Sequence, residues 1–407
     1  MDTQIGGLLL IMCSVTFAQS VVESAGVDVA RALMDKAGAM PKLRCEFTSI
    51  RPDLTYGLHF RTGYRVQVPL NQFSGSGLDV SVLLRVTPDG GIPTYLASVV
   101  RTPVPADRSL AGVFEGSFLV GEGAYKVEAM VADEANRGCS ERWQIHAKRK
   151  GVERELKAAS RPGSVAADRL TDRDNANLGE ARVASHPTIL LHAAPLKPGG
   201  SVLSTEDISM LAGSLSAVLR QLSVESARVI VFNLNLGKVL QDKEDFTATD
   251  LRDLAVSLKG LQLGVVDYRA LRNPNHASEF LTSLLGDLRM TDSDVLLWLG
   301  SYFPAQRGLQ IEKLKRITAA GIFYLEYRQA LCFNIPSPER GYYALTEPDP
   351  QISEQLRAFE PSRDADNIEE LVHRMQGETL VLRTPHDLAK AIRRIEQRVK
   401  ATNAGSN

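Results

Sequence analysis

A histidine, an aspartate and a serine are the residues here with the types for nucleophilic chemistry: His192, Asp267 and Ser301, each at the end of an expected strand. A base that takes a proton from a hydroxyl, itself oriented by a carboxylate, is the hydrolytic arrangement they would make. Tyr268 beside Asp267 completes a candidate ligand face. Against catalysis, Ser301 lacks the Gly-x-Ser-x-Gly turn that lifts a nucleophile out of a sheet. His192 stands before Ala193 and Ala194, where a hydrogen-bonded structural histidine is the commoner outcome. His186 and His192 lie too far apart on an extended segment to share a metal ion without a sharp turn. His373 and His386 fall in a helix and at a helix start. Gly75-Ser76-Gly77 is weak evidence of a nucleophile, and Gly199-Gly200 alone makes no phosphate cradle. The reading is therefore no catalytic residue, no metal ligand and no cofactor.

These positions matter only if one sheet gathers them. Residues 187–194 read as a strand, 205–222 as a helix and 228–234 as a second strand. The runs Thr188-Ile-Leu-Leu191 and Val229-Ile-Val-Phe232 are apolar throughout, the habit of parallel strands buried on both faces. Ligands of such sheets gather at the carboxyl ends of the strands, which points to the loop after His192. The alternation continues. Residues 238–243 should turn back as an antiparallel edge, and Thr247 or Thr249 should cap a helix at 250–261. Gly264-Val-Val-Asp-Tyr268 precedes a helix at 277–288. Strand 294–299, helix 310–320, strand 322–327, helix 367–376, strand 379–383 and helix 385–400 follow. Residues 329–365 form a Pro-rich insertion; its acidic and Pro-rich stretch Asn334–Asp366 reads first as disordered and second as a further candidate partner surface. Residues 187–402 are thus expected to form a doubly wound α/β domain.

The first half has another rhythm. Short alternating or β-branched runs occupy 43–50, 64–70, 79–86, 95–100, 110–120, 125–132 and 142–147. Turn signals such as Pro88-Asp-Gly-Gly91 and Gly121-Glu-Gly123 separate them. The spacing predicts an immunoglobulin-like β-sandwich over 43–147. Gly123-Ala-Tyr125-Lys-Val127 resembles the penultimate-strand motif of such domains, in which the tyrosine hydroxyl bonds back across a corner. With no exposed aromatic cluster evident, a spacer is favoured over a binding module. Cys45 and Cys139 bracket this region and would pair in an oxidising compartment; two buried free thiols are the alternative. Cys332 is left over. Residues 148–186, rich in charge, Pro, Gly and Asn, read as a linker.

Residues 1–20 read as a signal peptide. Ile5 to Phe17 is almost free of polar side chains, and Thr16-Phe-Ala18 or Ala18-Gln-Ser20 offers small residues at cleavage spacing. Asp2 stands where a positive charge is customary. Export to the periplasm or beyond is expected. No later run approaches the roughly 20 apolar residues of a membrane span. A chain of 407 residues suggests two domains with linkers. Its net charge of −1 argues against the concentrated basic face that nucleic acid requires.

The order of elements from 187 to 400 resembles a von Willebrand factor A-type domain. More narrowly, it is similar to exported von Willebrand factor type A-related proteins common in acidobacterial genomes. The pieces that carry the likeness are Val229-Ile-Val-Phe-Asn-Leu234, Asp294-Val-Leu-Leu-Trp-Leu299, Phe323-Tyr-Leu-Glu-Tyr327 and Leu380-Val-Leu-Arg-Thr-Pro-His-Asp-Leu-Ala389. The resemblance implies Mg²⁺ or a similar ion held by three loops, through Asp-x-Ser-x-Ser, a Thr and an Asp. Hard cations want such oxygen ligands. This chain departs at all three, with His192-Ala-Ala-Pro-Leu196, Val265 or Val266, and Leu299. What remains implied is the fold, a dead metal site and an interaction role. The favoured expectation is a non-enzymatic exported protein that binds a protein or cell-surface partner, with no nucleic acid. The alternative is an extracytoplasmic hydrolase using His192, Asp267 and Ser301.

Overall fold

The computed structural model describes residues 15–16, 19–73, 77–168, 187–196, 201–222, 226–263, 273, 275–288, 295–302, 321–328 and 367–405. The chain divides into two compact units. The first comprises Met1–Thr55, His59–Lys150 and Ala158–Asp174; the second comprises Tyr56–Leu58, Gly151–Lys157 and Asn175–Asn407.

In the first unit, β1 (Val15–Thr16), β3 (Glu46–Leu54), β4 (Phe60–Pro69), β7 (Ala111–Val120) and β10 (Val165–Ala167) form one sheet. The other contains β2 (Ser20–Val21), β5 (Gly77–Pro88), β6 (Thr94–Pro103), β8 (Gly123–Asp133) and β9 (Gly138–Ala147). Side chains alternate between faces with period two. Tyr64, Val66 and Val68 of β4 therefore meet Val80, Val82, Leu84 and Val86 of β5 in a shared core. Helix α1 (Val27–Lys36) lies on the outer face of the second sheet. Its Ala30 and Met34, four apart and so on one helical face, pack with Leu83, Tyr95 and Met130. A disulfide joins Cys45 to Cys139 with the α-carbons 6.2 Å apart. It ties the entry of β3, an edge of one sheet, to β9, an edge of the other. The Tyr125 hydroxyl donates to the Gly121 carbonyl at 2.8 Å and to that of Ser164 at 3.2 Å.

Within the stretch read as a linker, residues 151–155 form a 3-10 turn of the second unit, and β10 adds to β7 of the first. Residues 169–186 lie outside the described residues.

The second unit holds a six-stranded mixed sheet made of β11 (Thr188–His192), β12 (Ala227–Asn233), β13 (Lys238–Phe246), β14 (Val295–Ser301), β15 (Gly321–Tyr327) and β16 (Glu378–Leu382). The strand order is β13-β12-β11-β14-β15-β16. All neighbours are parallel except β12 and β13. Its described helices are α2 (Thr205–Gln221), α3 (Leu251–Lys259), α4 (His276–Gly286), α5 (Asn367–Arg374) and α6 (Pro385–Gly405). Leu281, Leu284 and Leu285 of α4 and Ile368, Leu371 and Val372 of α5 pack on Leu190, Ile230, Phe232, Trp298 and Tyr324. Tyr56–Leu58 also belongs here: Arg220 of α2 donates to the Gly57 carbonyl at 2.6 Å.

The expected fold class, an immunoglobulin-like β-sandwich followed by a doubly wound α/β domain, is corrected. Among the described residues strand outweighs helix, 43% to 31%, in three sheets with few helices. An apolar run states that both faces of a strand are covered, and the sequence reading turned that into strict alternation of strand and helix. The immunoglobulin-like label is not confirmed either. The first unit carries two five-stranded sheets and an outer helix, where seven strands were expected. The helix expected at 310–320 and the insertion at 329–365 lie outside the described residues.

Candidate functional site

The carboxyl ends of β11, β12 and β14 are where the polar candidates converge. β14 runs beside β11 in parallel register, with Leu191 opposite Leu299. His192 and Ser301 therefore arrive on neighbouring strands. Gly300 makes this approach feasible, since a β-carbon there would lie 2.6 Å from that of His192.

His192 is fully buried. Its Nε2 accepts from the Leu234 backbone N–H at 3.3 Å, so the neutral ring carries its proton on Nδ1. The ring stacks on Phe232 with centroids 5.3 Å apart, and Trp298 meets Phe232 edge-on at 5.6 Å. Burial pushes the imidazole pKa down to about 3, against a smaller opposing effect from a backbone hydrogen bond to Ser301. A base in hydrolysis needs an accessible lone pair near neutral pH. This imidazole has already used its own inside the fold.

Ser301 is 4% exposed. Its hydroxyl donates to the Pro195 carbonyl at 3.4 Å, and its own carbonyl accepts from Tyr324 Oη at 3.3 Å. The serine and the histidine are thus brought together through Ser301's main chain, without a nucleophile–base hydrogen bond between their side chains. Asp267 and Tyr268 lie outside the described residues.

Two residues that sequence reasoning passed over organise this end of the sheet. Asn233 is fully buried; its Nδ2 donates to the Ala193 carbonyl at 2.7 Å and its Oδ1 accepts from Leu236 N–H at 2.9 Å. Asp207, at the third position of α2, accepts from Ser204 N–H at 2.8 Å while Ser204 Oγ accepts from Asp207 N–H, a reciprocal cap. The other Asp207 oxygen accepts from Leu196 N–H at 3.0 Å and latches the loop that follows β11. The Ser-x-x-Asp spacing was a readable signal for Asp207. For Asn233 the signal was one amide ending an apolar run.

The donor set does not fit the hard cation that the von Willebrand factor A-type resemblance implies. A neutral imidazole, the buried methyls of Ala193 and Ala194 and the buried Leu299 stand where carboxylates and hydroxyls would be needed. Among the described residues no group of three or more His, Cys, Asp or Glu is arranged for a metal.

One strand further, Glu326 is buried near the end of β15. Arg328 grips it in a bidentate pair, Nε donating to one carboxylate oxygen and Nη2 to the other, and reaches Glu369 of α5 at 3.7 Å. Burial raises the Glu326 pKa, with Arg328 opposing. In the first unit a groove of about 550 Å³ lies beside Met34, Ala37 and Ala129. Among the charges that line it, Arg85 pairs with Asp35 and Glu128, and Arg142 with Glu128.

No protein-family model and no curated protein sequence matches the chain. Among solved structures, a β-glucuronidase of Bacteroides uniformis is similar at 11% identity over 70% of this chain and 36% of its own, with a TM-score of 0.17. A putative ApaA protein from Bordetella pertussis matches at 10% identity over 27% of this chain and 99% of its own, with a TM-score of 0.15. The structural-genomics target SoR45 matches at 10% identity over 26% of this chain and 87% of its own, with a TM-score of 0.16. At such scores these likenesses bear no weight on fold or function. None of them indicates a von Willebrand factor A-type family.

Proposed function

We propose that this chain is a non-enzymatic exported protein that works by holding a protein or cell-surface partner. The observation behind the reading is that the described polar side chains at the strand ends are spent on the fold. His192 is neutral and buried, Ser301 faces a backbone carbonyl, and Asn233 and Asp207 fasten loops. Export is consistent with the Cys45–Cys139 disulfide, a bond that persists in oxidising compartments.

The test is a panel of chromogenic esters, phosphates and glycosides offered to the full chain and to Ser301→Ala. No turnover above buffer is expected from either protein. Turnover that disappears in Ser301→Ala and in His192→Ala would install an extracytoplasmic hydrolase in place of a binder. Thermal unfolding with chelator, then with Mg²⁺, Mn²⁺ or Ca²⁺, supplies the second arm. An ion at a hundred times its dissociation constant adds about 2.7 kcal/mol, and the expected midpoint shift is nil.

A further inference from the structure

The closing helix, α6, carries its charge unevenly. Its inner face is apolar, with Leu388, Ala391, Ile392, Ile395 and Val399 buried. On the outer side Lys390, Arg394 and Arg398 follow one another at intervals of four, and all three are exposed. That spacing sets them in one line on a helix, about 12 Å long at 1.5 Å per residue. Lys400 adds a further exposed base.

No acid of the helix breaks this line. Between Lys390 and Lys400 the one acidic residue is Glu396. It is 9% exposed and pairs with Arg393, which also reaches Glu155 at 2.9 Å. Asp387, at the head of the helix, is spent on the cap, accepting from the N–H groups of Arg383 and Thr384. Glu378 of β16 pairs with Arg394 and leaves its side chain 64% exposed. Like charges four apart lower the stability of a helix. The helix dipole favours bases in the last turn, but the last turn of α6 holds none. The dipole therefore gives no reason for the line.

We propose that Lys390, Arg394 and Arg398 form a stripe that holds the protein against an anionic lipid surface through the headgroup phosphates. This rests on the exported reading above and gives its cell-surface partner a chemistry. Among the described residues α6 exposes no large apolar side chain, so the contact is one of charge at headgroup depth, without the buried apolar face of an inserting helix. A protein interface centres on aromatic or apolar anchors, which the stripe lacks; evenly repeated charge matches evenly repeated phosphate. A two-fold contact with a second copy would set the stripe against itself. With a net charge of −1, the whole chain has no overall attraction to such a surface, and the stripe decides how it lands.

Flotation of the full chain with phosphatidylglycerol vesicles, against phosphatidylcholine vesicles, tests this at low salt and at 1 M salt, where the screening length falls to about 3 Å. Wild type is compared with Lys390→Gln/Arg398→Gln and with Arg252→Gln/Lys259→Gln, which removes the same charge from exposed positions of α3. Binding is expected to phosphatidylglycerol alone and at low salt alone. A loss of about fivefold per charge, so about 25-fold, is expected in the first variant and less than twofold in the second. If the first variant unfolds early, Lys390→Gln alone decides, with a loss of about fivefold expected. No binding by wild type, binding that survives 1 M salt, or equal loss in both variants overturns the stripe. Duplex DNA or polyglutamate that strips the chain from vesicles at a lower charge concentration than the lipid overturns lipid as the occupant. Cell fractionation separates the readings: protein recovered from the cytoplasm overturns export, whereas the stripe stands or falls on the vesicles.

Discussion

A methyl group placed on Gly300 would sit 2.6 Å from the β-carbon of His192 and 3.4 Å from its Nδ1. Both contacts belong to the central pair of the sheet, where neither strand has room to shift. Gly300→Ala is therefore expected to destabilise the protein by about 1–3 kcal/mol, the usual cost of overpacking. Gly286→Ala is the control, because its added methyl meets nothing within 4 Å. Urea unfolding of both variants checks the contrast.

His192 makes stability depend on pH. Its folded pKa of about 3 lies below the ordinary 6.5, so the unfolded chain binds the extra proton. Its contribution is fully present above pH 6.5 and is lost as pH falls from 6.5 toward 3, by about 1.4 kcal/mol per pH unit. His192→Gln should flatten the difference between urea midpoints at pH 7 and pH 5 relative to wild type. An equal pH slope in both proteins would refute the assignment.

Glu326 should act with the opposite sign. Its folded pKa is raised, so the folded state keeps the proton that the unfolded carboxyl releases near pH 4.5. Stability from this group is present below pH 4.5 and falls as pH rises through the folded value. Glu326→Gln is expected to be neutral or stabilising at pH 7 and to remove that decline, as read by thermal midpoints from pH 4 to 7.

The Cys45–Cys139 bond closes a loop with a sequence separation of 94. Chain entropy assigns a loop of that length roughly 4–5 kcal/mol at 25 °C. The double Cys→Ala variant should lose a large part of that, with the loss confined to the first unit's unfolding transition in calorimetry.

Asp207→Ala removes the reciprocal cap of α2 and frees the Leu196 amide together. A loss of about 1–2 kcal/mol is expected, with faster hydrogen exchange at Leu196. Ser204→Ala should cost less and leave Leu196 protected, since it removes the cap alone.

What the sequence made legible was local. The unbroken apolar run at 188–191 reads as a strand covered on both faces, and Ile189, Leu190 and Leu191 are indeed fully buried. Cys45 and Cys139 could be paired in advance because they bracket one set of strands. Tyr125 bonds back across the turn before β8 to Gly121, four residues earlier. The fold class was less legible, because burial on both faces does not say how many helices supply the cover. The state of His192 was hidden for a related reason. It depends on Leu234, which is 42 positions away, and no pattern around His192 records that neighbour.

The antiparallel edge of the mixed sheet has a consequence for the protein in concentrated solution. β13 carries Lys238, Asp242, Lys243, Glu244 and Asp245 along nine residues, and its pairing with β12 slips register twice. Arg228 of β12 is paired with Asp242 and Glu244 across that edge. A flat, neutral edge is a template on which another sheet can grow, whereas charge and local irregularity spoil it. On this side the sheet ends in a surface that repels fibril growth, so crowding should leave this edge of the sheet unextended.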